Sequence, residues 1–143
     1  MEKIKSNRLE ERQIETEFAR RFIVKHIRKR YLALLEARKI GEGFGELAHF
    51  TQNLDLKYCD KIPNATKKGD IDFVIDEIAK NTDSRKCYIV SESKLLDGKW
   101  MTLEDAATEV VGSNIGTLLL LENGKIFYHE SEEIKERYIG IRS

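Results

Sequence analysis

Proline and cysteine are scarce in this sequence. Its 143 residues include one proline and two cysteines, Cys59 and Cys87. Two cysteines and three scattered histidines are too few for a disulfide scaffold or a Cys/His zinc site, so we expect a reduced, cytoplasmic protein. No apolar run approaches the length of a membrane span or a signal-peptide core. The chain length suits one domain, or one domain with an arm.

The net charge is zero, but the two signs are unevenly distributed. Residues 1–40 contain 12 Lys and Arg against six Glu, whereas residues 41–143 contain 13 Lys and Arg against 19 Asp and Glu. From Arg20 to Arg30 there are six basic side chains and no acidic one. Such a segment favours a polyanionic partner, or an acidic body that binds a metal. The alternative is a solvated helix face that pairs with acids elsewhere on the protein or on a second subunit.

A long helix is predicted near the start of the chain. Residues 11–38 contain no helix breaker, and their apolar residues recur at spacings of three and four. Such a helix would be about 40 Å long, more than a small body can cover, so we expect part of it to pack on a second copy in a homodimer. The glycines of the segment 41–45 end the helix. We therefore divide the chain into a basic amphipathic helical arm, 1–40, and a core, 41–143.

The sequence of the segment 41–143 predicts a mixture of helices and strands. Strands are predicted over 57–62, 69–75, 87–94 and 99–101, with helices over 46–53, 102–112 and 131–138. The Asn-Gly pair at 123–124 lies between two apolar runs, 116–121 and 125–129, which predicts a hairpin with a tight turn. The fold class is therefore mixed α/β.

Two acidic residues and one lysine stand out by their predicted positions. Asp72 lies in the alternating strand 69–75, and Glu92 and Lys94 lie two apart at the polar end of strand 87–94, so they share one side of the sheet. Two carboxylates from neighbouring strands can hold one Mg²⁺ or Mn²⁺. That ion would lower the pKa of a bound water and stabilise the charge that develops on a phosphate, while Lys94 held the water or the phosphate. The alternative is an ordinary surface pair between Glu92 and Lys94.

These residues resemble the motif of the PD-(D/E)XK nuclease superfamily, especially its small resolvase-like and endonuclease-like branches. The family pattern of Gly-acid-apolar-Asp and then Glu-x-Lys is matched by 69–72 and 92–94, and its helical Gly-Glu-x-Ala by 45–48. The resemblance implies a restriction-endonuclease-like αβββαβ core. It also implies Asp72 and Glu92 as metal ligands, the Ser93 carbonyl as another, Lys94 as the catalytic lysine and Glu46 as an auxiliary ligand. A Glu at a helix start is also favoured by the helix dipole alone.

The sequence therefore predicts a Mg²⁺-dependent endonuclease that hydrolyses phosphodiester bonds in DNA. The basic residues expected to contact phosphates lie in the predicted arm and just before Asp72: Lys25, Arg28, Lys29, Arg30, Lys67 and Lys68. Two alternatives stay open. One is a non-catalytic nucleic-acid-binding or regulatory protein, of viral or plasmid origin, that uses the basic helix. The other is an oligomerising interaction protein that binds no nucleic acid.

Overall fold

The computed structural model of the chain describes residues 2–45, 51–132 and 136–142, with side chains described from residue 9 onward except at 51. In these ranges the helices are α1 Glu2–Phe22, α2 Lys25–Ala37, α3 Lys67–Ala79 and α4 Leu103–Val110. The strands are β1 Cys59–Lys61, β2 Lys86–Ser91, β3 Trp100–Thr102, β4 Thr117–Leu121, β5 Ile126–Glu130 and β6 Arg137–Ile141. Short 3₁₀ turns cover Thr51–Asn53, Leu56–Tyr58 and Glu122–Gly124.

The six strands form one sheet in the order β1-β6-β5-β4-β2-β3, and every neighbouring pair is antiparallel. The mixed α/β class is confirmed, as is the pairing of β4 and β5 in a hairpin. The expected tight turn is wrong, because four residues separate Leu121 from its partner Ile126. Three of them, Glu122, Asn123 and Gly124, have positive φ, which Asn and Gly tolerate best. Helix α4 begins where predicted, because the Thr102 hydroxyl accepts a hydrogen bond from the Asp105 amide.

Helices cover both faces of the sheet. The side chains on one face of the sheet, such as those of Tyr88, Leu118 and Phe127, pack in a buried cluster with α1 and α2. The side chains on the other face, such as those of Ile89 and Leu119, pack with α3 and α4. Alternate strand residues point to opposite faces, so the molecule has three layers with the sheet in the middle. A strand that is buried on both faces is mostly apolar, as β4 is from Leu118 to Leu121.

The prediction of a single helix over 11–38 is wrong, because the helix is interrupted between Phe22, where α1 ends, and Lys25, where α2 begins. Ile23 forms an isolated bridge with Leu54, and the Val24 amide donates to the Asn53 carbonyl at 3.0 Å. The two helices then run back along each other, with the Arg12 guanidinium bonded to carbonyls at the end of α2. Much of the segment predicted as an arm thus packs directly on the sheet, where Phe18 and Phe22 are buried.

The strand predicted over 69–75 is also wrong, because these residues form part of α3. The Thr66 hydroxyl accepts a hydrogen bond from the Gly69 amide and caps the helix start. The alternation of apolar residues suggested a strand, but Val74 and Ile78, four apart, are the residues that α3 buries against the sheet. The restriction-endonuclease-like core requires a strand here.

Two further predictions fall partly outside the described residues. In the helix predicted over 46–53, residues 46–50 are not described and Thr51–Asn53 form a 3₁₀ turn. In the helix predicted over 131–138, residues 133–135 are not described, and strand β6 begins at Arg137, so the end of that prediction is wrong. No helix among the described residues combines the length and apolar character needed to span a bilayer.

Candidate functional site

The residues of the predicted metal site lie on different kinds of element. Asp72 is exposed on α3, in the outer helical layer. Strand β2 ends at Ser91, so Glu92 and Lys94 lie in the turn that follows it rather than on the strand. The side-by-side strands from which the two carboxylates were expected to project are therefore not present.

In the turn 92–94, the Glu92 carboxylate and the Ser93 carbonyl are engaged in hydrogen bonds. The Glu92 carboxylate accepts from the Gly116 amide at 2.9 Å. The Ser93 carbonyl, expected as a metal ligand, accepts from the amides of Leu96 and Asp97 at 3.2 and 2.9 Å. Lys94 is exposed, and Glu46 lies outside the described residues. In the part of the chain that is described, no three or more His, Cys, Asp or Glu side chains are grouped as a metal site.

A buried carboxylate in the β2–β3 loop organises this end of the sheet instead. The Asp97 side chain is fully buried and accepts four hydrogen bonds. The donors are the Arg38 guanidinium at 2.8 Å and the amides of Gly41, Gly43 and Ser91 at 2.9–3.1 Å. Asp97 thus ties the segment after α2 to the end of β2. Nothing near Asp97 in the sequence indicates that Arg38, Gly41 and Gly43 are its partners.

Arg38 connects Asp97 to α1. Its guanidinium also donates to Glu15 at 2.7 Å and to the Tyr88 hydroxyl at 3.2 Å, and that hydroxyl donates to Glu15 at 2.5 Å. Burial alone would lower the pKa of Arg38, but the hydrogen bonds and charges of Glu15 and Asp97 outweigh it and raise that pKa. Burial, together with the charge of Glu15, raises the pKa of Tyr88. Arg38 therefore stays charged and Tyr88 neutral at physiological pH.

A second buried polar network lies on the other face of the sheet. A row of four paired residues crosses β2, β4, β5 and β6: Ser91, Thr117, Glu130 and Arg137. The Glu130 carboxylate accepts from the Tyr128 hydroxyl at 2.7 Å and from the amides of Gly112 and Asn114 at 2.8 and 2.5 Å. The Arg137 guanidinium lies 3.5 Å from both Glu130 and Asp70. Asp70, on α3, is thereby joined to the sheet.

The carboxylates of both networks lie in the interior of the protein. Glu15, Asp70, Asp97 and Glu130 are each at most 3% exposed and bonded to donors from the same chain. A buried carboxylate whose lone pairs are already occupied holds loops together and offers no open position to a substrate. The groups that remain available to a partner are therefore on the surface.

The exposed side of α2 carries several basic side chains. Lys25, His26, Lys29 and Arg30 are exposed there, and we call these four residues the α2 basic face. None of them forms an ion pair with any of the residues described here. Arg28 is half-buried, and its guanidinium donates to the Ile23 carbonyl at 3.1 Å.

The opposite helical layer is mainly acidic. Asp72 and Asp76 are exposed on α3, and three exposed acids occupy the outer side of α4: Glu104, Asp105 and Glu109. The predicted DNA contacts Lys67 and Lys68 are exposed at the start of α3, so the sheet separates them from the α2 basic face. The fold therefore divides the six basic residues predicted to bind nucleic acid into two separate groups.

Comparisons of the chain with protein-family models, with curated proteins and with solved structures found no match.

Proposed function

We propose that the protein binds DNA through the α2 basic face and does not cleave it. The observation that carries the proposal is the separation of charge between the two helical layers. The α2 basic face has no internal ion pairs among the described residues, and the exposed acids of α3 and α4 lie across the sheet. A phosphate backbone would therefore be attracted to one side of the molecule and repelled by the other.

The energetics of this contact come mainly from the release of counterions. Each lysine or arginine that neutralises a phosphate displaces condensed cations from the DNA. Lys25 and Lys29 are one helical turn apart, so both can follow one strand of the backbone. The contact carries no sequence information by itself, so the proposal is a non-specific or weakly specific DNA-binding protein.

The nuclease implied by the resemblance is the second candidate. The observation in its favour is that Glu92 and Lys94 follow β2 directly, as that motif requires. It ranks second because Asp72 is on a helix and because the Glu92 carboxylate already accepts from Gly116. Mg²⁺ or Mn²⁺ added to the protein and duplex DNA tests it. Cleavage that is lost in Glu92→Ala and Lys94→Ala would support it over the first proposal.

The test of DNA binding is a fluorescence-anisotropy titration of a labelled duplex at several salt concentrations. Lys25→Gln/Lys29→Gln removes two charges from the α2 basic face, and Lys67→Gln/Lys68→Gln removes two from the opposite layer as a matched control. Each phosphate contact contributes about 0.9 to the slope of log affinity against log salt concentration. The loss of two contacts in the first variant should therefore make this slope shallower by about 1.8. The weakening between about 50 and 200 mM salt then shrinks roughly tenfold.

The control variant should bind like the wild type. A wild-type affinity that does not depend on salt would overturn the proposal. So would an equal loss in both double variants, because the charge of one face would then have no special role.

A further inference from the structure

The start of the α2 basic face is joined to two distant parts of the chain. The Asp55 amide donates to the Phe22 carbonyl at 2.6 Å, which holds the segment before β1 against the end of α1. The last described residue, Arg142, is bonded to Arg21 in both directions. Its guanidinium donates to the Arg21 carbonyl at 2.7 Å, and its own carbonyl accepts from the Arg21 guanidinium at 3.0 Å. Arg21 and Phe22 precede Lys25, the first residue of α2, by four and three positions, so these contacts lie near the start of the α2 basic face.

The Arg142 guanidinium is fixed in position. Its central carbon lies 3.8 Å from the centre of the Tyr58 ring, so the planar group stacks on the ring while one N–H bonds to Arg21. An arginine side chain has five N–H donors, and in the described part of the chain only that one is used and no carboxylate pairs with Arg142. The free donors are therefore held in a defined direction.

The surroundings of Arg142 are positively charged. The Lys125 carbonyl accepts from the Arg142 amide at 2.9 Å, which places these two residues side by side, and Arg20 is exposed one position before Arg21. The nearby acids are engaged, since Glu17 pairs with Arg21 at 2.8 Å and Asp55 lies 3.7 Å from Lys57. An anion at this corner would thus meet positive charge that has no partner within the described residues.

We infer that Arg142, held by Tyr58 and Arg21, binds a phosphate of the DNA that lies on the α2 basic face. The inference rests on the proposed function and names a binding residue outside the α2 basic face. A guanidinium can donate two parallel hydrogen bonds to a phosphodiester, which an ammonium cannot. Because Arg142 is already ordered, binding does not need to immobilise it, so more of the interaction energy appears as affinity.

The experiment compares Arg142→Gln and Arg142→Lys with the wild type in the same anisotropy titration. Arg142→Gln should flatten the salt dependence by about 0.9, so the weakening between about 50 and 200 mM salt shrinks three- to fourfold. Arg142→Lys keeps the charge and should keep the slope, but its affinity should fall several-fold because the paired donors are lost. Lys68→Gln, on the opposite layer, is the single-charge control and should match the wild type.

Arg142 also caps the end of α1, so a purely structural role must be separated from binding. Thermal unfolding of each variant shows how much stability is lost, and the titration is made well below the unfolding transition. If Arg142→Gln lowers the melting temperature but leaves the affinity and slope of the wild type, the inference is overturned. If that happens while Lys25→Gln/Lys29→Gln still weakens binding, the proposed function survives alone. A wild type that does not bind DNA removes both.

Discussion

Replacing Arg38 with methionine tests how much the buried network contributes to the fold. The change keeps the length of the side chain and removes the guanidinium that bonds to Glu15 and Asp97 at 2.7 and 2.8 Å. The side chains of both acids are at most 1% exposed, and removing one partner of such a buried pair costs about 3–5 kcal/mol. Asp97 keeps three amide donors. We therefore expect a loss near the lower limit, about 3 kcal/mol.

The assay is urea unfolding followed by the fluorescence of Trp100, the one tryptophan in the chain. For a slope of about 1.5 kcal/mol per molar urea, the expected loss lowers the unfolding midpoint by about 2 M. Arg85→Met is the matched control, because it breaks an ion pair with Glu104 in which the side chains are 54% and 51% exposed. Exposed pairs contribute about 1 kcal/mol or less.

A double variant tests whether the uncompensated charge causes the loss. In Glu15→Gln/Arg38→Met the buried Glu15 carboxylate is replaced by a neutral amide, while Asp97 keeps the amides of Gly41, Gly43 and Ser91 as donors. The double variant should recover part of the stability that Arg38→Met loses, because the carboxylate of Glu15 no longer lies in the interior without its guanidinium partner. Equal losses in Arg38→Met and Arg85→Met would refute the reasoning, because burial would then make no difference to the pair.

Two other predictions concern the loop after α2 and the cysteines. Gly43→Ala should lower the free energy of unfolding by about 1–3 kcal/mol, because the φ of Gly43 is +90° and a Cβ would lie 2.9 Å from the Glu92 carbonyl oxygen. Gly45→Ala is the control, because the space around Gly45 is open. Equal losses of stability in the two variants would contradict the argument. Burial raises the pKa of Cys59 and of Cys87 to about 12 from 9.0, so at pH 8 iodoacetamide should label the folded protein about a thousandfold more slowly than the urea-unfolded protein. Because the folded-state pKa values are the higher ones, stability should also fall as the pH rises above about 9; fast native labelling, or stability that stays constant to high pH, would contradict the assignment.

Several elements could be predicted from neighbouring residues alone. The helix α4 follows from Thr102 and the spacing of its apolar residues, and the β4–β5 hairpin follows from the Asn-Gly pair between two apolar runs. Caps and tight turns are formed by side chains and amides only a few residues apart, so the necessary information is contained in a short window.

The same kind of pattern was misleading for α3. Ile71, Phe73 and Ile75 alternate as in a strand, but Val74 and Ile78 also have helical spacing, and the segment satisfies both periods. The choice was made by tertiary packing, because a helix buries Val74 and Ile78 against the sheet. The metal site depended on that strand, so its expected geometry was lost with it.

The sequence by itself determined the mixed α/β class, the concentration of positive charge near residues 20–30 and most of the central strands. Only the tertiary structure decided that Asp97 meets Arg38, that Arg142 stacks on Tyr58, and that Lys67 and Lys68 face away from the α2 basic face. The reason is physical. Local spacing sets the backbone of short elements, whereas a buried carboxylate or a fixed guanidinium acquires its partners from residues dozens of positions away, when the layers pack together.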